Sequence, residues 1–102
     1  FMRRTELQEK LGQHNKVIAE LTMFLNTFPR NSSALYCRQQ AYRIKHDYEH
    51  AQQDLEELIE INPDIEEWYT ARAALYKDMG RNADAQKDLL TAKQIKETGA
   101  RE

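Results

Sequence analysis

The sequence is poor in residues that break, bridge or anchor a chain. Its 102 residues include one cysteine, two prolines, three glycines and one tryptophan. A lone cysteine, Cys37, excludes an internal disulfide and says little about compartment. The scarcity of proline and glycine, beside plentiful Gln, Glu, Lys, Ala and Leu, makes helix the expected state of most of the chain. No apolar run comes near the ~20 residues needed to span a bilayer. An excess of either charge is also missing: 15 Lys and Arg against 17 Asp and Glu leave −2. No basic field draws in a nucleic acid or an anionic membrane. The length suits one domain, able to bury roughly two-thirds of its unfolded surface without disulfides or metals. No Ser/His/Asp or Cys/His set, glycine-rich phosphate loop or isolated carboxylate pair in an apolar frame is present, so the expectation is a non-enzyme with no cofactor and no metal.

What the sequence does have is a period. Pro29 and Pro63 lie 34 residues apart, as do Tyr42 and Tyr76. At the same offset Gly12 matches His46 and Gly80, Val17 matches Ala51 and Ala85, Leu21 matches Leu55 and Leu89, and Phe24 matches Leu58 and Ala92. Ala41 pairs with Leu75. The matched positions, His46 apart, are apolar, small or chain-breaking, and the polar positions between them are expected to drift freely. Within a period the apolar steps are three, four and seven, as in Ala51, Leu55, Leu58 and Ile59, which is helical spacing. His46-Asp47 and Gly80-Arg81-Asn82 interrupt it, so each unit reads helix, turn, helix. This predicts helices at about 2–11, 14–28, 32–45, 48–61, 66–79 and 82–97. Asp64 is the expected N-cap of the fifth, with Glu67 completing a box, and Asn31 or Ser32 that of the third. Pro29 and Pro63 stop the helices before them.

The stretches "ALYCRQQAYRIKHDYEHAQQDLEELIEINPD" and "WYTARAALYKDMGRNADAQKDLLTAKQI" resemble the tetratricopeptide repeat (TPR) family. Leu35, Ala41-Tyr42, Asp47-Tyr48, Ala51 and Asn62-Pro63 carry the likeness, with Ala73 and Gly80 supplying small residues where the middle unit has Gln39 and His46. The resemblance implies an all-α fold, an α-solenoid of antiparallel helix pairs in a right-handed superhelical stack. It implies one domain over 1–102, with units of about 1–29, 30–63 and 64–97, the first truncated, and a tail at 98–102. A six-helix bundle without repeat symmetry is the alternative. The chain begins Phe-Met-Arg-Arg with no leader in view and reads as a piece of something longer, with more repeats or another domain expected before Phe1.

In the family, the first helix of each unit lines a concave wall that binds other polypeptides. Carried over by spacing, that wall holds Glu6, Glu9 and Lys10, then Ser33, Tyr36, Cys37, Gln40, Arg43 and Ile44, then Glu67, Thr70, Ala71, Ala74, Lys77 and Asp78. The groove residues singled out are Tyr36, Gln40, Arg43, Glu67, Thr70 and Lys77; Tyr36, Gln40 and Arg43 offer an aromatic face, an amide and a cation on adjacent turns. The bland reading of the same residues is a solvated helix face. The slots of the family's clamp for chaperone-tail carboxylates hold Met2, Glu6, Cys37, Glu67 and Ala71, none of the required type, so that partner is not expected.

His46 and His50, four apart, read as solvated residues at a turn rather than metal ligands. Cys37 reads as a small packing residue, and Trp68 as a ring tucked against the preceding pair. Glu56, Glu57 and Glu60 read as a wet outer stripe, and Lys87, Asp88 and Lys93 as a partial polar cap that leaves Leu90 uncovered. The leading expectation is a protein–protein interaction module that docks a peptide or helix. The alternative is a structural spacer or self-association segment, including a homodimer through uncapped repeat ends. The compartment is left open.

Overall fold

The structure, a computed structural model, describes the backbone of residues 2–101 and the side chains of residues 10–99. Among these it contains five α-helices and no strand: α1 (Met2–Thr27), α2 (Ser32–Ile44), α3 (Tyr48–Ile61), α4 (Glu66–Asp78) and α5 (Asn82–Arg101). The chain divides into two compact units, Phe1–Asp54 and Leu55–Glu102. No helix among the described residues is long and apolar enough to cross a membrane.

In the first unit α1 runs unbroken for 26 residues, where the period predicts two helices separated at Gly12. A helix-interior glycine costs about 1 kcal/mol relative to alanine, too little to end a helix by itself. His46 and Gly80, one and two periods on, take left-handed backbone and close a turn, whereas Gly12 stays helical. α1 ends where Pro29 forbids continuation, and the Asn31 N–H donates to the Phe28 carbonyl at 3.2 Å. Asn31, in extended conformation, then caps α2 by accepting from the Ala34 N–H at 2.9 Å. α1 packs against α2, and Leu25 is the buried side chain of its described part.

α2 closes with His46 in the left-handed region at φ 65°. The His46 N–H reaches the Arg43 carbonyl at 2.9 Å and the Asp47 N–H reaches the Tyr42 carbonyl at 2.8 Å, the two bonds of a Schellman turn. Asp47 then starts α3, its carboxylate accepting from the His50 N–H at 3.4 Å.

The second unit repeats this in α4 and α5. Gly80 takes φ 77°, its N–H reaching the Lys77 carbonyl at 3.0 Å, and the Arg81 N–H reaches the Tyr76 carbonyl at 2.8 Å. α4 and α5 close around Ala73, Tyr76 and Ala85, with Met79 and Leu89 against them. The small residues at Ala51 and Ala85 are both buried, as close helix approach requires. The N-cap of α4 is Ile65, with no side-chain bond, instead of Asp64. Asp64 is held one residue earlier: its N–H donates to Asn62 Oδ1 at 3.1 Å, while the Tyr69 hydroxyl donates to the Pro63 carbonyl at 2.9 Å. α5 continues through the expected tail to Arg101, because no proline or left-handed residue stops it and a helical Gly99 does not. Leu35, Leu55, Leu58 and Leu75 are the largest fully buried side chains, each worth about 1.5–3 kcal/mol of burial. The all-α, TPR-like class expected from the sequence is the class observed.

Candidate functional site

One polar device recurs in both units, and it decides which helix faces remain for other work. Arg38 of α2 grips Asp54 of α3 in a fork, with Nε 2.9 Å from Oδ2 and Nη2 2.7 Å from Oδ1. Arg72 of α4 grips Asp88 of α5 in the same way, at 2.7 and 2.8 Å. Both pairs are mostly withdrawn from water, the carboxylates retaining 4% and 7% of their side-chain exposure. A bidentate guanidinium–carboxylate contact adds directional specificity to charge attraction. Arg38 also donates backwards to Thr22 of α1 at 3.2 Å. Each arginine covers the tyrosine one turn on, Arg38 over Tyr42 at 5.8 Å and Arg72 over Tyr76 at 5.7 Å from the ring centroid. The recurring tyrosine is thus the seat of a recurring arginine.

This corrects the expectation that the polar positions drift. Arg38 and Arg72, and Asp54 and Asp88, hold their types across the period because each makes a withdrawn ion pair. Asp88, expected on an outer cap, is buried. The hydrogen bonding of Arg72 to Asp88, which accepts, is the main reason the Arg72 pKa is raised; burial opposes it, and the charge of Asp88, then Tyr76 and Glu56, add to it.

With Arg38 committed to one side of α2, the stripe Tyr36, Gln40 and Arg43 occupies the other. Gln40 is exposed, and Tyr36 and Arg43 are half-buried. In the second unit Glu67, Thr70 and Lys77 form the corresponding stripe of α4, all exposed, with the Thr70 hydroxyl donating to the Glu67 carbonyl at 3.0 Å. A cation recurs in register as Arg43 and Lys77, whereas Tyr36 is matched by Thr70 and Gln40 by Ala74. Lys10 is exposed; Glu6, Glu9 and Met2 lie outside the described side chains.

The other candidates resolve individually. His46 sits in the turn and His50 in α3; His50 Nδ1 meets Asp47 Oδ2 at 2.8 Å and its ring stacks on Tyr42 at 5.1 Å. No group of three or more potential metal ligands gathers among the described residues. Cys37 is exposed, not packed as expected, although it lies beside the buried Ala34 and Ala41 on α2. Trp68 is half-buried, Glu56, Glu57 and Glu60 are exposed, and Leu90 retains 57% of its surface. A pocket of about 400 Å³ lies in the second unit, lined by Asp64, Thr91, Gln94, Ile95, Thr98 and Gly99.

No protein-family model and no curated protein matches the chain by sequence. Solved structures do resemble it. The crystal structure of MamA superimposes with a TM-score of 0.83 at 20% identity, covering 88% of this chain and 53% of that one. A second structure, MamA MSR-1 C2, gives 0.81 at 17% identity, covering 93% and 53%. The chain therefore has a TPR-like helical-repeat fold and spans about half the length of the structures it resembles.

Proposed function

We propose that the chain is a non-catalytic module of the TPR type whose α2 and α4 faces bind a peptide or helix of a partner protein. The observation that carries this reading is the division of each helix into two sides. The Arg38–Asp54 and Arg72–Asp88 forks hold one side, so the other is presented on a fixed scaffold. That other side carries Tyr36, Gln40 and Arg43 on α2, and Glu67, Thr70 and Lys77 on α4, mixing an aromatic ring with amide, hydroxyl and both charges. Such a mixture suits recognition of a polypeptide, whose backbone and side chains offer donors, acceptors and apolar surface. The TPR-like fold supports the reading, as does the absence of any catalytic set in the sequence.

The test is the double substitution Tyr36→Ala with Arg43→Glu. A partner recovered with the wild-type chain should be lost while far-UV circular dichroism is unchanged. Glu57→Lys, on the exposed side of α3, is the control and should retain it. Equal loss with the control, or retention by the double variant, would overturn the assignment of these faces.

A further inference from the structure

The pocket of the second unit is built on one stripe of α5. Thr91, Gln94, Ile95 and Thr98, with Gly99 next to them, recur at helical spacing and share a face. Asp64 closes the pocket from the turn that precedes α4. That turn is braced twice, by the Asp64 N–H on Asn62 Oδ1 at 3.1 Å and by the Tyr69 hydroxyl on the Pro63 carbonyl at 2.9 Å. At about 400 Å³ the cavity falls within the range of small-ligand sites.

Its side-chain polar atoms are nearly all acceptors. The Thr91 hydroxyl donates to the Lys87 carbonyl at 3.0 Å, and the Thr98 hydroxyl to the Gln94 carbonyl at 2.9 Å. A hydroxyl that has spent its one hydrogen can only accept. Asp64 supplies a carboxylate that makes no ion pair among the described residues, and no lysine or arginine lines the cavity. The Gln94 amide alone can donate, and it offers an acceptor as well. Ile95 adds apolar surface, and Gly99 leaves room, since a Cβ there would meet nothing within 4 Å.

We infer that this pocket receives an aliphatic cation: the ammonium or guanidinium of a lysine or arginine side chain, or of a free alkylamine. The charged head donates to the Asp64 carboxylate and the two threonine oxygens, and the methylene stem lies against Ile95 in the space beside Gly99. An anion would find one side-chain donor, the Gln94 amide, and would be repelled by Asp64. The site goes beyond partner binding by the α2 and α4 stripes and uses none of their residues, so either reading can fail without the other.

Chemical-shift titration tests it, with an acetylated, amidated glycine–arginine–glycine peptide and agmatine as cationic probes. The same peptide with citrulline for arginine, neutral but of matching shape, is the reference. Both cations should shift the backbone amides of Thr91 to Gly99 saturably, and the citrulline peptide should bind several-fold more weakly. Asp64→Asn should weaken the cations about three- to fivefold, as one partly exposed ion pair allows, and should erase the preference for arginine over citrulline. Glu49→Gln, which removes a carboxylate outside the pocket, should leave binding unchanged. Gly99→Leu fills the space beside Ile95 and should remove binding while helical circular dichroism is kept. Tighter binding of the peptide than of agmatine would assign the site to a polypeptide side chain, and the reverse to a free amine. Three results would each overturn the inference: no saturable shift with either cation, equal binding of the arginine and citrulline peptides, or undiminished binding by Gly99→Leu.

Discussion

His46 and Gly80 occupy the same left-handed backbone position one period apart, at φ 65° and 77°, and only one of them is glycine. A Cβ at Gly80 would meet nothing within 4 Å, so any cost of adding one is conformational rather than steric. Gly80→Ala should therefore destabilise by about 1 kcal/mol. His46→Gly should stabilise by about 0.5–1 kcal/mol, offset in part by losing the ring contact with Tyr48 at 5.6 Å. Urea unfolding of the two variants should give shifts of opposite sign.

Gly12→Ala should act against the family pattern. Gly12 lies in the interior of α1 with open space around its Cα, so alanine there should gain about 1 kcal/mol of helix stability. Raised thermal stability without loss of helical signal is the expected result. A destabilised chain would mean that Gly12 adopts a turn.

The Arg72–Asp88 fork should show the asymmetry of withdrawn ion pairs. Arg72→Met alone leaves the buried Asp88 carboxylate without its cation and should cost about 3 kcal/mol. Adding Asp88→Leu should recover much of that loss. The raised Arg72 pKa means its contribution is fully present below the unfolded-state pKa, and is lost only as pH climbs through the still higher folded value. Mildly alkaline pH should leave the fork intact, which a double-mutant cycle repeated at neutral and alkaline pH would check.

Asn31 caps α2 through one bond, to the Ala34 N–H at 2.9 Å. Asn31→Ala should cost about 1 kcal/mol in chemical denaturation. Asn31→Asp should cost far less, because a carboxylate accepts the same bond and suits the helix N-terminus.

The helices and their turns were legible in the sequence where a chain-breaker or a small residue had one physical job. Pro29 and Pro63 end helices, Ala51 and Ala85 let helices approach, and Asn31 caps, all visible from residue type and spacing. Gly12 misled because glycine permits a turn without compelling one. Asp64 misled because two cap-capable residues, Asn62 and Asp64, compete at one turn, and the chain settled with Asn62 accepting from Asp64. The arginine forks were missed for another reason. A charged residue in a polar stretch gives no local sign that it is buried, and the signal lay in matching Arg38 with Arg72 and Asp54 with Asp88 together. The candidate stripe of Tyr36, Gln40 and Arg43 could be read from helical spacing, but not that Arg38 beside it faces inward.

The spacing of the arginine contacts sets a rule for cutting and joining this chain. Arg38 reaches Thr22 and Asp54, sixteen residues behind it and sixteen ahead, and Arg72 feels Glu56 and Asp88 at the same two distances. A duplication or excision of 34 residues keeps every guanidinium supplied in both directions, whatever the loop chosen for the splice. Any other length inserted between an arginine and its carboxylate strands a charge in the interior. Growth and shrinkage of such a chain are thereby quantised.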